Sequence, residues 1–275
     1  MAEQWTENPR VGGSIPPPAR FFRRSNFMKD WSDGGEEWSE PWGNSAAQWA
    51  GVIFPRIRDW LPAGTILEIA PGFGRWTHYL KNHCDNLWLV EKNDQCFDGC
   101  CRRFGSDPRI KIYHNDGHSL SMLPDNSVDF VFSFDSLVHD RRGFIESYLR
   151  QLGSKLKVGG KGFFHHSNLG AYANSVRERR PTGVIKLLEK ARILDLEHHR
   201  TPTMTADLFR ALCEQQGLHC VRQELINWRA RRLIDCFSFF VRDRSQQTKP
   251  TEIIRNPNFM REAARIRRAI PSAKP

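Results

Sequence analysis

With 275 residues, 39% of them hydrophobic and 26% charged, the chain has the make-up of a globular protein with enough apolar material for a sizeable core. No run of about 18 uninterrupted apolar residues occurs, which argues against a membrane-spanning helix. The opening residues lack the basic-then-apolar layout of a signal peptide, so a cytoplasmic protein is expected. The net charge of +10 points toward anionic partners or toward a basic tail that is simply solvated. No helix-turn-helix, RRM or finger pattern accompanies it, and nucleic acid is therefore the minority expectation. The seven cysteines form no CxxC pair. Cys96, Cys100 and Cys101 suit one helix face rather than a thiolate cage, so reduced structural thiols and no metal are expected.

In chain order, residues 1–30 are rich in Pro, Arg and Gly and read as a flexible leader. Residues 31–63 carry five tryptophans, and apolar positions at Trp49, Val52, Ile53, Ile57 and Trp60 repeat at helical spacing. A helix capped by Asn44 or Ser45 is expected, packing on the following domain or forming a lid over it. From residue 64 the periodicity changes. Short apolar strands are predicted at Thr65–Ala70, Leu87–Glu91, Ile110–His114, Val128–Phe134 and Gly162–His166. Helical stretches separate them: one up to about His83, one at Asp94–Phe104 and one at Phe144–Leu156, with a turn at Gly159-Gly160. Strands alternating with helices imply right-handed βαβ units on a parallel sheet.

Residues 170–205 are polar and basic and read as an insertion. A helix over Thr205–Gln216 follows, then strands at Cys220–Trp228 and Leu233–Arg242. The few residues between these strands are too short for a parallel crossover, which needs a dozen or more, so the last strand should run antiparallel. Residues 243–275 form a basic tail. In it Phe259, Ala263, Ile266 and Ile270 make one helical stripe opposed by arginines. Docking on the parent domain is the favoured expectation, and weak contact with a membrane surface is the other. The fold class is therefore α/β: a seven-stranded, mostly parallel Rossmann-like sheet with an antiparallel last strand and helices on both faces, spanning residues 64–242.

The segment Leu67-Glu-Ile-Ala-Pro-Gly-Phe-Gly-Arg75 lies between the first strand and a helix. Its glycines permit a tight turn and close approach of backbone to a ligand at a helix N-terminus. A NAD fingerprint would place a third glycine at position 77, where Thr77 stands, and no P-loop is present. The segment resembles motif I of class I S-adenosylmethionine (SAM) methyltransferases, with Glu68, Pro71, Gly72, Gly74 and Arg75 in the turn and Ala70 in place of the first glycine. The resemblance continues at Glu91 and Lys92, where an acid ends the second strand as the family's ribose-binding strand does. It extends to Asn115, Asp116 and Gly117 at the adenine position, to Ser133, Phe134 and Asp135 beside the methionine moiety, and to the antiparallel last strand. It implies SAM as cofactor and a methyltransferase activity.

In open α/β sheets ligands bind beyond the carboxyl ends of the strands. Two histidine sites fall there: His139 with Asp140 after the fourth strand, and His165 with His166 at the end of the fifth. Methyl transfer to a hydroxyl benefits from a base that titrates near neutrality. His139 is the first candidate, with Asp140 orienting it or binding the acceptor. Successive strand residues point to opposite faces, so at most one of His165 and His166 should face the site. Structural packing is the alternative for each. The pattern as a whole, including the Trp-rich segment, resembles bacterial methyltransferases associated with sugars and surface polysaccharides, which implies a small-molecule or glycan acceptor methylated on a hydroxyl. A secondary metabolite methylated on oxygen or nitrogen, and nucleic acid, remain the alternative acceptors.

Overall fold

A computed structural model describes residues 34–139, 142–172, 200–228, 232–243, 245 and 249–270. The leader, Asp140, most of the 170–205 insertion and residues 229–231 lie outside the described residues. Eight strands form one sheet: β1 (Ala63–Ile69), β2 (Cys84–Glu91), β3 (Ile110–His114), β4 (Val128–Ser133), β5 (Leu156–Ser167), β6 (His219–Ile226), β7 (Asp235–Val241) and β8 (Glu252–Asn256). Their order is β3-β2-β1-β4-β5-β7-β6-β8. The first five strands pair in parallel, while β7 is antiparallel to both β5 and β6. The expected antiparallel last pair is thus present.

Two features depart from the expectation. The sheet has eight strands rather than seven, because Glu252–Asn256 in the basic tail pairs in parallel with β6 at the sheet edge. Only five residues long and with Ile253 exposed, that strand has too little apolar alternation to stand out in a polar tail. The Gly159-Gly160 pair lies inside β5 rather than in a turn before it. The register of β5 against β4 jumps between Val128 and Phe130, and a bulge absorbs both glycines.

Helices cover both faces. One face carries α3 (Thr77–Leu80), α4 (Asp94–Phe104) and the segment Glu36–Trp60; the other carries α5 (Arg142–Lys155) and α6 (Ala206–Gln215). The single helix expected before residue 60 is instead broken into α1 (Ser45–Gln48), a π turn at Trp49–Ile53, α2 (Phe54–Ile57) and a 3-10 turn at Arg58–Trp60. Pro55 at the start of α2 lacks the amide that a continuous helix would use there. Asn44 caps α1 by accepting the Ala47 amide at 2.8 Å. Thr205 caps α6 through the Leu208 amide.

The tail helix α7 (Phe259–Ala269) docks on the parent domain. Phe259 and Ala263 are fully buried, and Phe259 meets Trp42, Trp228 and Phe237 edge-on or stacked. Gly43, in the left-handed region at φ 101°, gives Ile270 its place: a Cβ there would run into that side chain. The apolar stripe is used in packing, and its arginines remain exposed on the outer side. Among the described residues, no helix is long and apolar enough to cross a membrane.

Candidate active site

The carboxyl ends of β1, β2 and β4 meet at the glycine turn. Glu68 sits under that turn, 1% exposed, and accepts the Thr77 hydroxyl at 2.6 Å. Burial pushes its carboxyl up to about 8, although the Thr77 bond pulls the other way. The side chain therefore fixes the turn from below. Ala70 adopts φ 54°, a left-handed conformation that glycine takes more readily. A Cβ at Gly74 would run into the Phe104 ring, so the turn closes tightly on α4.

Glu91, at the end of β2, aims its carboxylate back at the turn. Its Oε2 accepts the Gly72 amide at 3.0 Å, and its Oε1 accepts the Lys92 and Asn93 amides at 2.9 and 2.8 Å. Burial raises its pKa, and these amides pull it down. A carboxylate offers about four acceptor positions. Three are used by backbone, which leaves one on Oε2, facing the turn. Lys92 lies over the Phe144 ring at 4.5 Å.

The side chains after β3 hold their own loop. Asn115 donates to the Ser119 carbonyl and the Tyr148 hydroxyl, and accepts the Gly117 amide. Asp116 accepts the His118 and Ser119 amides, which hold its carboxyl below the ordinary value. Gly117 packs under Lys92 and Phe144. These residues border the site, yet Asn115 and Asp116 spend much of their bonding on the loop itself.

Ser133 is fully buried and donates to the Ile69 carbonyl. The Phe134 ring packs among Trp76, Phe163, His165 and Phe237. Asp135 adopts φ 64°. Its side chain lies 3.3 Å from Arg75 and 3.8 Å from Arg200. Arg75 follows the glycine turn and also donates to Ser39 of the Trp-rich segment, at 3.1 Å. Burial lowers the Arg75 guanidinium, and Asp135 acts against that shift. Arg75 and Asp135 thus meet beside the Trp-rich segment.

The histidines separate by face, as the strand alternation requires. His165 looks toward Phe134 and Trp228 on the face of the Trp-rich segment. His166 looks toward the opposite face, stacked on Phe209 at 4.3 Å. Both His166 nitrogens are engaged, one with the Ser167 carbonyl at 2.9 Å and one with Ser238 at 2.8 Å. Burial drives its pKa down to about 4. His166 is thus a packed, neutral residue away from the glycine turn, which corrects its reading as a base. His165 is fully buried as well, with both nitrogens bonded, one of them to the Asp135 amide. His139 is exposed on the turn after β4, where its amide donates to Ser136.

Residues 66–160 match the family model described as "Methyltransferase domain". They contain the turn, Glu91, the 115–117 loop and Asp135, so the domain and the geometry coincide. A structure of a SAM-dependent methyltransferase from Mesorhizobium loti superposes with a TM-score of 0.52 at 16% identity, covering 71% of this chain and 98% of that one. A protein of Pyrococcus horikoshii gives 0.51 at 14% identity, covering 71% and 90%. The fold is that of class I SAM-dependent methyltransferases. Ribosomal RNA small subunit methyltransferase A of Coxiella burnetii is 40% identical over 52 residues, 19% of this chain. The chain spans about 20% of the length of that relative.

SAM is the cofactor of this domain, and the residues fit it. The open acceptor position on Glu91 suits a ribose hydroxyl. Glycine at 72 and 74 leaves the backbone unshielded next to it. Three residues of the site escaped sequence reasoning. Ser39 is an unremarkable serine among tryptophans. Arg200 stands in the basic insertion, where any arginine reads as solvated. Asp235 was visible: a lone acid inside the apolar run Leu-Ile-Asp-Cys-Phe demands a buried partner.

Proposed function

We propose that this methyltransferase domain transfers a methyl group to a hydroxyl of a sugar or glycan intermediate. SAM, when bound, supplies a methyl group activated on a sulfonium. The observation that carries the reading is the position of Arg75, which reaches Ser39 of the Trp-rich segment on one side and Asp135 at the end of β4 on the other. An acceptor entering there lies between the turn and the Trp-rich segment, of which Trp38 is exposed. Aromatic faces suit sugar rings, and Trp carries an N–H for a ring hydroxyl. His139 is the exposed imidazole on the turn that follows Asp135, and it is assigned as the base that takes the hydroxyl proton. Asp140 is assigned to orient it.

The test is incubation of the full chain with methyl-labelled SAM and a fractionated extract of its source cells. Label in glycan or glycolipid that survives mild base supports a sugar ether. Label confined to a small metabolite or to nucleic acid overturns the acceptor. The nucleic-acid outcome has one observation behind it, the short identity to an RNA-modifying relative. It would bring a binding affinity that falls steeply with salt.

A further inference from the structure

Four side chains close a ring around the end of β4. The Asp135 amide donates to His165 Nδ1 at 3.2 Å. Nδ1 therefore carries no proton, and the ring N–H sits on Nε2, 3.2 Å from Asp235 Oδ2. Asp235 is fully buried and is gripped by Arg200, whose Nε lies 3.0 and 3.1 Å from the two carboxylate oxygens and whose second nitrogen lies 2.8 Å from Oδ2. That same Arg200 nitrogen lies 3.8 Å from Asp135 Oδ1. The ring thus leaves Asp135 through its main chain and returns to it through its side chain. Asp135 meanwhile holds φ 64°, a conformation a β-carbon disfavours and which surrounding structure must impose.

We propose that His165 and Asp235 are positioning residues: together they fix one imidazole tautomer, and that tautomer holds Asp135 in the left-handed conformation that aims its carboxylate at Arg75, the arginine beside which the acceptor is placed above. Neither residue moves a proton in this role. Burial on its own would raise the Asp235 carboxyl, yet Arg200 and the His165 bond hold it at about 2, so the acceptor of the Nε2 proton is a constant charge. The neighbours of His165 are Phe134, Trp228 and Phe237. The two phenylalanines carry no hydrogen-bonding group and Trp228 meets the imidazole ring to ring, so among the described residues the tautomer rests on Asp135 and Asp235. The inference deepens the acceptor assignment above and rests on it for what Asp135 touches.

Two variants divide the ring. His165→Asn leaves an amide oxygen near the place of Nδ1, able to accept the Asp135 amide, and gives up Asp235. His165→Gln reaches Asp235 and leaves the Asp135 amide with no acceptor. In the full chain, labelled transfer to the fraction that wild type modifies should fall about tenfold in the first and about 100-fold in the second, as expected when a reacting group is displaced by roughly 1 Å. SAM affinity, read by calorimetry, should fall less than transfer does in both. Equal losses in the two variants would reduce His165 to packing and overturn the proposal. Nitrogen-15 NMR of histidine-labelled wild type supplies the second readout. A proton on Nε2 together with a slowly exchanging Asp135 amide is expected, and a proton on Nδ1 or a fast amide overturns the ring. Should wild type label no fraction, the hydroxyl-acceptor reading falls, while the NMR readouts still decide the ring.

Discussion

The Gly72 amide and the Glu91 carboxylate face each other at 3.0 Å across the carboxyl ends of β1 and β2. This one bond joins the turn to the ribose-side acid, so the shape of the turn and the aim of the carboxylate are a single structural property. Gly72 adopts φ 61°. Gly72→Ala should therefore cost about 1 kcal/mol of stability and weaken SAM binding about tenfold as the carboxylate loses its aim. Urea unfolding and calorimetry read the two effects separately.

Glu68 predicts a pH dependence of stability. Its carboxyl titrates near 4.5 when the chain is unfolded and at about 8 when folded. The folded chain keeps the proton longer, so this contribution is full below pH 4.5 and is lost progressively as pH rises to about 8. The slope is on the order of 1.4 kcal/mol per pH unit within that window. Glu68→Gln should flatten it and leave the variant more stable than wild type at pH 8. Unfolding free energies measured from pH 5 to 8 in both proteins check this; parallel curves would mean that Glu68 is ionised in its buried site.

His166 carries the opposite sign. Its folded value of about 4 lies below the ordinary 6.5. Its contribution is present above pH 6.5 and disappears as pH falls toward 4. His166→Gln keeps a donor and an acceptor near Ser238 and should lessen the loss of stability in that acid window. Methyl transfer at pH 8 should stay within about threefold of wild type, because the side chain faces away from the acceptor. A collapse of turnover with folding intact would return His166 to the catalytic list.

The tail is part of the core. Phe259 is fully buried against Trp42, Trp228 and Phe237, and Phe259→Ala should cost about 3–5 kcal/mol. A thermal melt decides it. A melting temperature close to that of wild type would show that α7 is not held where it docks.

The parts of this architecture that repeat were legible in the sequence. Strands β1 to β4, helix α4 and the antiparallel β7 follow from periodicity and from a loop too short to cross the sheet. The cofactor side was equally legible, because a glycine turn followed at fixed distance by Glu91 is a local pattern. The ring around Asp135 was not. It joins residues 30 to 100 positions apart, and apart from Asp235 its members look ordinary where they stand: Arg200 is one arginine among many, and His165 is indistinguishable from His166 until the strand's facing is known. The π turn at Trp49–Ile53 and the edge strand β8 escaped for a different reason, since both depend on what packs against them rather than on their own residues.

The central claim is that this domain binds SAM through Glu91 and the glycine turn. The most direct measurement is a calorimetric titration of the full chain with SAM, repeated on Glu91→Ala. The account predicts saturable one-to-one binding by wild type and a loss of about 100-fold in the variant, roughly 2.7 kcal/mol for a charge-assisted bond to ribose and the turn it steadies. No binding by folded wild type, or equal affinity in the two proteins, would contradict it.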